Sequence, residues 1–294
     1  MFYQLPPVGN PICLASETRP AFSLAECCSP YQARYYASGT AALAAAIIAA
    51  KRLKDVDSPE VILPAYGCPD LVSAAIYAGA RPVLVDLEVD RPWMDLGQLS
   101  ARISSRTVAI VAANLFGISE RVPEIRPFAR QVGAVVIEDS AQAFPGRGET
   151  DIWDGDLVVL SFGRGKPLSL LGGGAVLCRD ARLGELLPQV EAPRSNNLRK
   201  RVTFKLKAQL YNRMISPRLY WLPQSLPFLH LGETRYHPLT EVAAMDQVRL
   251  GLLPANILAY QQRSMQVQYA IAEMLEAIDA VAVDLIDLPG ICLI

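Results

Sequence analysis

Between Ser38 and Cys178, short apolar runs alternate with longer stretches in which apolar positions recur every three or four residues. The short runs are VILPA from Val61, PVLVD from Pro82, VAIVAA from Val108, AVVIED from Ala134, LVVLSF from Leu157 and GAVLC from Gly174. Their length and their content of Val and Ile predict strands. Because neighbouring positions are apolar, both faces of each strand are expected to be covered. That predicts an α/β fold, with a mostly parallel central sheet flanked by helices. The longer stretches carry helix punctuation: Pro69 opens DLVSAAIYAG, and Pro123 opens a segment closed by Gly133. Ser38-Gly39-Thr40 opens the alanine-rich AALAAAIIAAKRL. The organisation expected is a large domain over 1–239 and the start of a small C-terminal domain over 240–294.

Composition narrows the reading. With 28 basic and 29 acidic residues the chain is not a globally basic nucleic-acid binder. Its longest apolar run, Ala41 to Ala50, falls well short of the roughly 20 residues that span a bilayer. MFYQLPPVGNP lacks the basic-then-apolar order of a signal peptide, so a cytosolic address is expected. Cys13, Cys27, Cys28, Cys68, Cys178 and Cys292 form no C-x-x-C pair, and His230 and His237 are the only histidines. No metal site is expected from such a set.

Ligands of open α/β sheets bind beyond the carboxyl ends of the strands, where three features of this chain carry chemistry. AVVIED ends in Glu138 and Asp139, with Gln142 one helical turn on; LVVLSF ends in Ser161, five residues before Lys166. The helix opened by Ser38-Gly39-Thr40 offers free amides to an anion. SFGRGKPLSLLGGGAV is no phosphate loop of the NTPase type, because Pro167 follows Lys166 where a Ser or Thr is needed. Each feature alone has an ordinary explanation, as an N-cap, a helix cap or a solvated lysine. Together they suit pyridoxal phosphate (PLP), which needs a lysine for a Schiff base, a carboxylate against the pyridine nitrogen and donors for a phosphate.

The chain resembles the DegT/StrS family of PLP-dependent sugar aminotransferases, within the fold type I aminotransferase superfamily. The resemblance rests on SGTAAL from Ser38, P-A-Y-x-C-P from Pro64, PVLVD ending at Asp86, Phe116-Gly117, EDSAQAFPG from Glu138, and SFGRGKPL followed by GGGAV. A weaker match, TEVAAMDQVRLG from Thr240, is similar to the helix that begins the family's small domain. The resemblance implies that Lys166 is the Schiff-base lysine and general acid/base, and that Asp139 pairs with the pyridine nitrogen. It places Gln142 beside the cofactor's phenolic oxygen and Gly39, Thr40 and Ser161 on the phosphate. The family's ring-stacking aromatic corresponds to Cys68, so either Cys68 lies against the ring or Tyr66 takes over the stacking. Asn114 stands where the family has histidine, and Tyr236 where the partner subunit's asparagine is expected. The activity implied is ping-pong amino transfer from an amino acid to a nucleotide-linked ketosugar, by a homodimer, in polysaccharide or modified-sugar biosynthesis. The alternatives are a catalytically weakened PLP-fold protein acting as a partner or membrane-associated scaffold, and a nucleotide-binding α/β protein without PLP.

One segment stands apart. Between Glu191 and Glu233 there is no acidic residue, while Arg194, Arg199, Lys200, Arg201, Lys205, Lys207, Arg213 and Arg218 are basic. Val202, Leu206, Leu210 and Met214 recur at four-residue steps, predicting a helix with its apolar stripe beneath the charge. The segment 192–232 reads either as a helix docked on the large domain or as a surface for an anionic partner. That partner is a nucleotide-sugar diphosphate or an anionic membrane touched peripherally.

Overall fold

In the computed structural model, which describes residues 9–15, 24–146, 152–191, 198–226 and 235–277, the predicted strands and helices assemble into three layers. The strands are β1 (Gln32–Tyr36), β2 (Glu60–Pro64), β3 (Arg81–Val85), β4 (Thr107–Ala113), β5 (Val135–Asp139), β6 (Leu157–Ser161) and β7 (Gly174–Cys178). They form one sheet in the order β1-β7-β6-β5-β4-β2-β3. Pairing is parallel from β3 through β6, whereas β7 runs antiparallel to both β6 and β1. The apolar runs thus predicted six strands correctly and missed β1. Its sequence, QARYY, carries an arginine at mid-strand and lies at the sheet's edge, so no continuous apolar run marks it.

 Helix α1 spans Leu24–Cys27, and α2 (Gly39–Leu53) is capped by Ser38, whose hydroxyl accepts the Ala41 N–H at 3.0 Å. Pro69 precedes α3 (Asp70–Tyr77), and Asp95 caps α4 (Leu96–Arg102) through the Gln98 N–H at 2.9 Å. Helix α5 (Val122–Val132) ends on Gly133 in the left-handed conformation, φ 66°, as the sequence signal implied. After the sheet come α6 (Ala181–Glu185), α7 (Leu198–Met214), α8 (Trp221–Gln224) and α9 (Gln247–Ala277).

Alternation along the strands sorts the core onto two faces. Leu157 and Val159 of β6 join Val176 of β7 and the buried alanines of α2 on one face. Val158, Leu160, Ala175 and Leu177 point the other way, against Phe204 and Ala208 of α7 and Leu253, Ile257 and Tyr260 of α9. Further along that second face, Ile110 and Val136 meet Leu99 of α4 and Ile125 of α5. An all-round apolar α2 has this consequence: it is buried against the sheet with α3 and α6 beside it.

Two expectations about the C-terminal half change. The helix anticipated from Thr240 starts at Gln247, because the preceding residues run extended, with Ala37 N–H bonded to Ala243 O at 2.8 Å. On α7 the stripe Val202, Leu206 and Leu210 is exposed, not buried; Phe204 and Ala208 carry the docking instead. Parts of the basic segment, 192–197 and 227–234 with His230, and the C-terminal 278–294 with Cys292, lie outside the described residues.

Candidate active site

Lys166, Asp139, Ser161 and the start of α2 meet at the carboxyl end of the sheet, around a cleft of ≈ 680 Å³ counted with its open mouth. Gly39, Thr40, Cys68 and Gln142 also line it, as do Asp70 and Asn114. Of the residues that the resemblance places on the amine, ring or phosphate of the cofactor, Tyr66 alone is not in the lining. It lies 61% exposed outside, its ring 6.2 Å from that of Phe116. Cys68 is thus the residue of that turn that faces the cleft, its thiol pushed up by burial.

The two glycine-rich turns flanking Lys166 have separate jobs. Gly163 and Gly165 make the turn from β6 to Lys166, with Gly165 at φ 73° and the Lys166 N–H reaching Gly163 O at 3.4 Å. Gly174 lets β7 pass under the start of α2, because a Cβ there would lie 2.6 Å from Ser38 O and 2.8 Å from Gly39 Cα. Gly39 in turn permits contact with β6: its Cβ would sit 2.7 Å from Ser161 Oγ. Ser38 takes up the Ala41 N–H through its hydroxyl and the Ala42 N–H, at 3.0 Å, through its carbonyl. The Gly39 and Thr40 amides at the helix start are the donors left for an anion beside the Ser161 hydroxyl.

The strand register separates the two acids that end β5. Asp139 faces the cleft, where one oxygen accepts the Ala141 N–H at 3.0 Å. Burial raises its carboxyl above the usual carboxylate range, and the charge of Lys166 pulls it back down. Glu138 points to the opposite side, below the site. Its Oε1 accepts Asn114 Nδ2–H at 3.0 Å, and its Oε2 accepts the Asp154 and Gly155 N–H groups at 2.9 and 2.8 Å. Burial pushes the Glu138 carboxyl up while these donors lower it.

Asn114, in the family's histidine position, is a buried junction: its Oδ1 accepts the Glu120 N–H at 2.9 Å. Its backbone N–H bonds Asp139 O at 2.9 Å, so it fixes the strand end that presents Asp139. Gln142 Oε1 accepts the Phe116 N–H at 2.6 Å, holding Phe116 at φ 58° and leaving the Gln142 amide N–H₂ as the group free to donate. Sequence reasoning missed Asp70. Its Oδ2 accepts the Thr40 hydroxyl at 3.0 Å, so Thr40 offers the cleft its amide, with its hydroxyl already engaged. No sequence signal marks that contact, which joins the starts of two helices 30 residues apart.

A lysine and a half-buried carboxylate facing one cleft, beside a helix N-terminus and a serine, fit the amine, the ring and the phosphate of PLP. The interlock of Gly39 with Ser161 supports the fit, because it clears side chains from the anion end of the cleft. The fold is the α/β fold shared by solved PLP-dependent aminotransferases. The chain belongs to the DegT/DnrJ/EryC1/StrS aminotransferase family, whose sequence profile matches residues 23–214. Members of this family are PLP-dependent.

The chain is 36% identical over 152 residues to UDP-N-acetyl-3-dehydro-alpha-D-glucosamine 3-aminotransferase of Acidithiobacillus ferrooxidans, covering 50% of this chain and 40% of that one. It is 31% identical over 148 residues to GDP-perosamine synthase of Escherichia coli O157:H7, again covering 50% and 40%. The matches therefore span well under half the length of these relatives. The DesV structure of S. venezuelae, solved in complex with a ketimine intermediate, shares the fold. It superposes with a TM-score of 0.56 at 22% identity, covering 88% of this chain and 60% of that one.

Proposed function

We propose that this chain binds PLP through Lys166 and transfers an amino group from an amino acid to a nucleotide-linked ketosugar. The observation that carries the reading is the convergence of Lys166, Asp139, Ser161 and the Gly39–Thr40 amides on one cleft. The named relatives act on UDP- and GDP-linked sugars, which supports the substrate class.

When bound, PLP supplies a carbonyl for amine exchange and a ring that takes up an electron pair. Lys166 would hold the cofactor through its Nζ and, once released by the incoming amine, would take up and return the proton at that atom. Asp139, ionised against the pyridine nitrogen, keeps that nitrogen protonated. The Gly39 and Thr40 amides and the Ser161 hydroxyl hold the phosphate, and the Gln142 amide donates toward the phenolic oxygen. Cys68 offers the ring a thiol in place of an aromatic face. A homodimer accompanies this reading, supported by the exposed pair Tyr66 and Phe116 beside the cleft.

Purified protein incubated with PLP should be yellow, and borohydride should fix the cofactor on the peptide containing Lys166. Lys166→Ala should abolish the fixed adduct. A borohydride-stable adduct on another lysine would overturn the assignment, and a strict monomer at full cofactor load by light scattering would overturn the dimer.

A further inference from the structure

The geometry points to α7 as a docking surface for an anionic lipid bilayer. The inference is independent of the chemistry proposed for the cleft. At 100° per residue, Leu198, Val202, Leu206 and Leu210 form a stripe about 120° wide that winds slowly around the helix. These residues are 72%, 49%, 61% and 58% exposed, whereas Phe204 and Ala208, on the opposite side, are 7% and 0% exposed. The helix therefore docks by one narrow face and presents a second apolar face to the outside. Trp221 and Leu222 of α8, which follows α7 in the chain, are exposed as well.

The charges choose the occupant. Arg201 and Lys205 flank the stripe on one side and Lys200 and Lys207 on the other, and α7 carries no acidic residue. A basic-flanked apolar stripe matches an interfacial helix: leucines enter the acyl boundary while lysine stems lie along it and their heads reach lipid phosphates. A second copy of this chain fits poorly. In a two-fold contact the same patch faces itself, so lysine and arginine would meet their like with no acid between Glu191 and Glu233 to offset them. No helix among the described residues is long and apolar enough to cross a membrane, so the contact is peripheral.

The inner side of α7 connects this surface to the site. Asn212 Nδ2–H bonds Ile12 O at 2.8 Å and its Oδ1 accepts the Ile12 N–H at 2.7 Å. Two residues earlier, Asn10 Nδ2–H bonds Pro167 O at 2.7 Å, next to Lys166. A bilayer held on α7 thus lies one short segment away from the lysine loop.

Co-sedimentation of the full chain with vesicles of phosphatidylcholine plus phosphatidylglycerol, and of phosphatidylcholine alone, tests the proposal. Binding is expected on the anionic vesicles, with a blue shift in tryptophan emission. Trp221 reports it, because Trp153 is buried and Trp93 is held between Arg91 and Arg121. Replacing Lys200, Lys205 and Lys207 by Gln should weaken binding about 100-fold, at about fivefold per charge. Leu206→Ser with Leu210→Ser should weaken it at least about tenfold. Both side chains are exposed, so the melting temperature should stay unchanged. Absence of anionic vesicle binding overturns the proposal. Loss with the charge variant but not the leucine variant shows electrostatic adsorption only, which overturns the insertion. An oligomer that dissociates on the leucine substitutions assigns the stripe to a second copy and overturns it as well.

Discussion

Gly174→Ala adds a single methyl group at the point where β7 crosses under the start of α2. The new Cβ would lie 2.6 Å from Ser38 O and 2.8 Å from both N and Cα of Gly39. Neither side has slack: Gly174 is paired with Tyr36 on one flank and Ser161 on the other. Ser38 O is already engaged by the Ala42 N–H. The helix start has to retreat by roughly half an ångström or more, a form of overpacking that costs about 1–3 kcal/mol. Alanine's smaller loss of chain entropy returns up to about 1 kcal/mol, so the net expectation is a destabilisation of about 1–2 kcal/mol. The same retreat carries the Gly39 and Thr40 amides away from Ser161, so affinity for PLP should fall at least about tenfold, or about 1.4 kcal/mol. Urea denaturation followed by circular dichroism reads the first effect, and PLP titration followed by protein fluorescence reads the second. Gly251→Ala is the control: in α9, with nothing within 4 Å of its Cβ, it should stabilise by about 0.5–1 kcal/mol. A Gly174→Ala protein with the parent's denaturation midpoint and PLP affinity would refute the interlock.

Two further substitutions act through charge, with opposite signs. Asp139→Asn keeps an acceptor for the Ala141 N–H but removes the charge, so single-turnover amino transfer should slow at least about 100-fold, equivalent to about 2.7 kcal/mol of barrier. A rate within twofold of the parent would sink the electronic role. Because burial raises the folded carboxyl above its unfolded value, Asp139 favours the fold at low pH, and that contribution is lost as pH rises through its folded pKa. Asp139→Asn should therefore leave the cofactor-free protein no less stable at neutral pH. Glu60 behaves in the opposite way. Burial raises its carboxyl, but Arg81 at 2.5 Å, Ser104 at 2.7 Å and Arg106 at 2.6 Å outweigh that and lower it on balance. Its stabilisation is present above the unfolded carboxylate range and lost as pH falls through the lowered folded value. Glu60→Gln should cost about 1–2 kcal/mol at neutral pH and progressively less in acid. A pH-independent difference would contradict this account.

Strands buried on both faces announce themselves as unbroken apolar runs, and β2, β4, β5, β6 and β7 were legible for that reason. The site was legible where chemistry sits just past such a run, as Asp139, Ser161 and Lys166 do. Other assignments depended on contacts between distant parts of the chain. Glu138 and Asp139 are adjacent acids, and only the placement of β5 between β4 and β6 shows that Asp139 takes the cleft while Glu138 goes below it. The choice between Tyr66 and Cys68 required the folded turn after β2, and the diversion of the Thr40 hydroxyl required Asp70 to be brought alongside. For α7, a four-residue period marks an apolar stripe but not the direction it faces. The groove formed by β6, β7 and α9 accepts Phe204, over which Arg249 stacks at 5.0 Å, and that single docking turns Val202, Leu206 and Leu210 outward. Periodicity is a property of one helix, whereas its orientation is set by the shape of the surface it packs against.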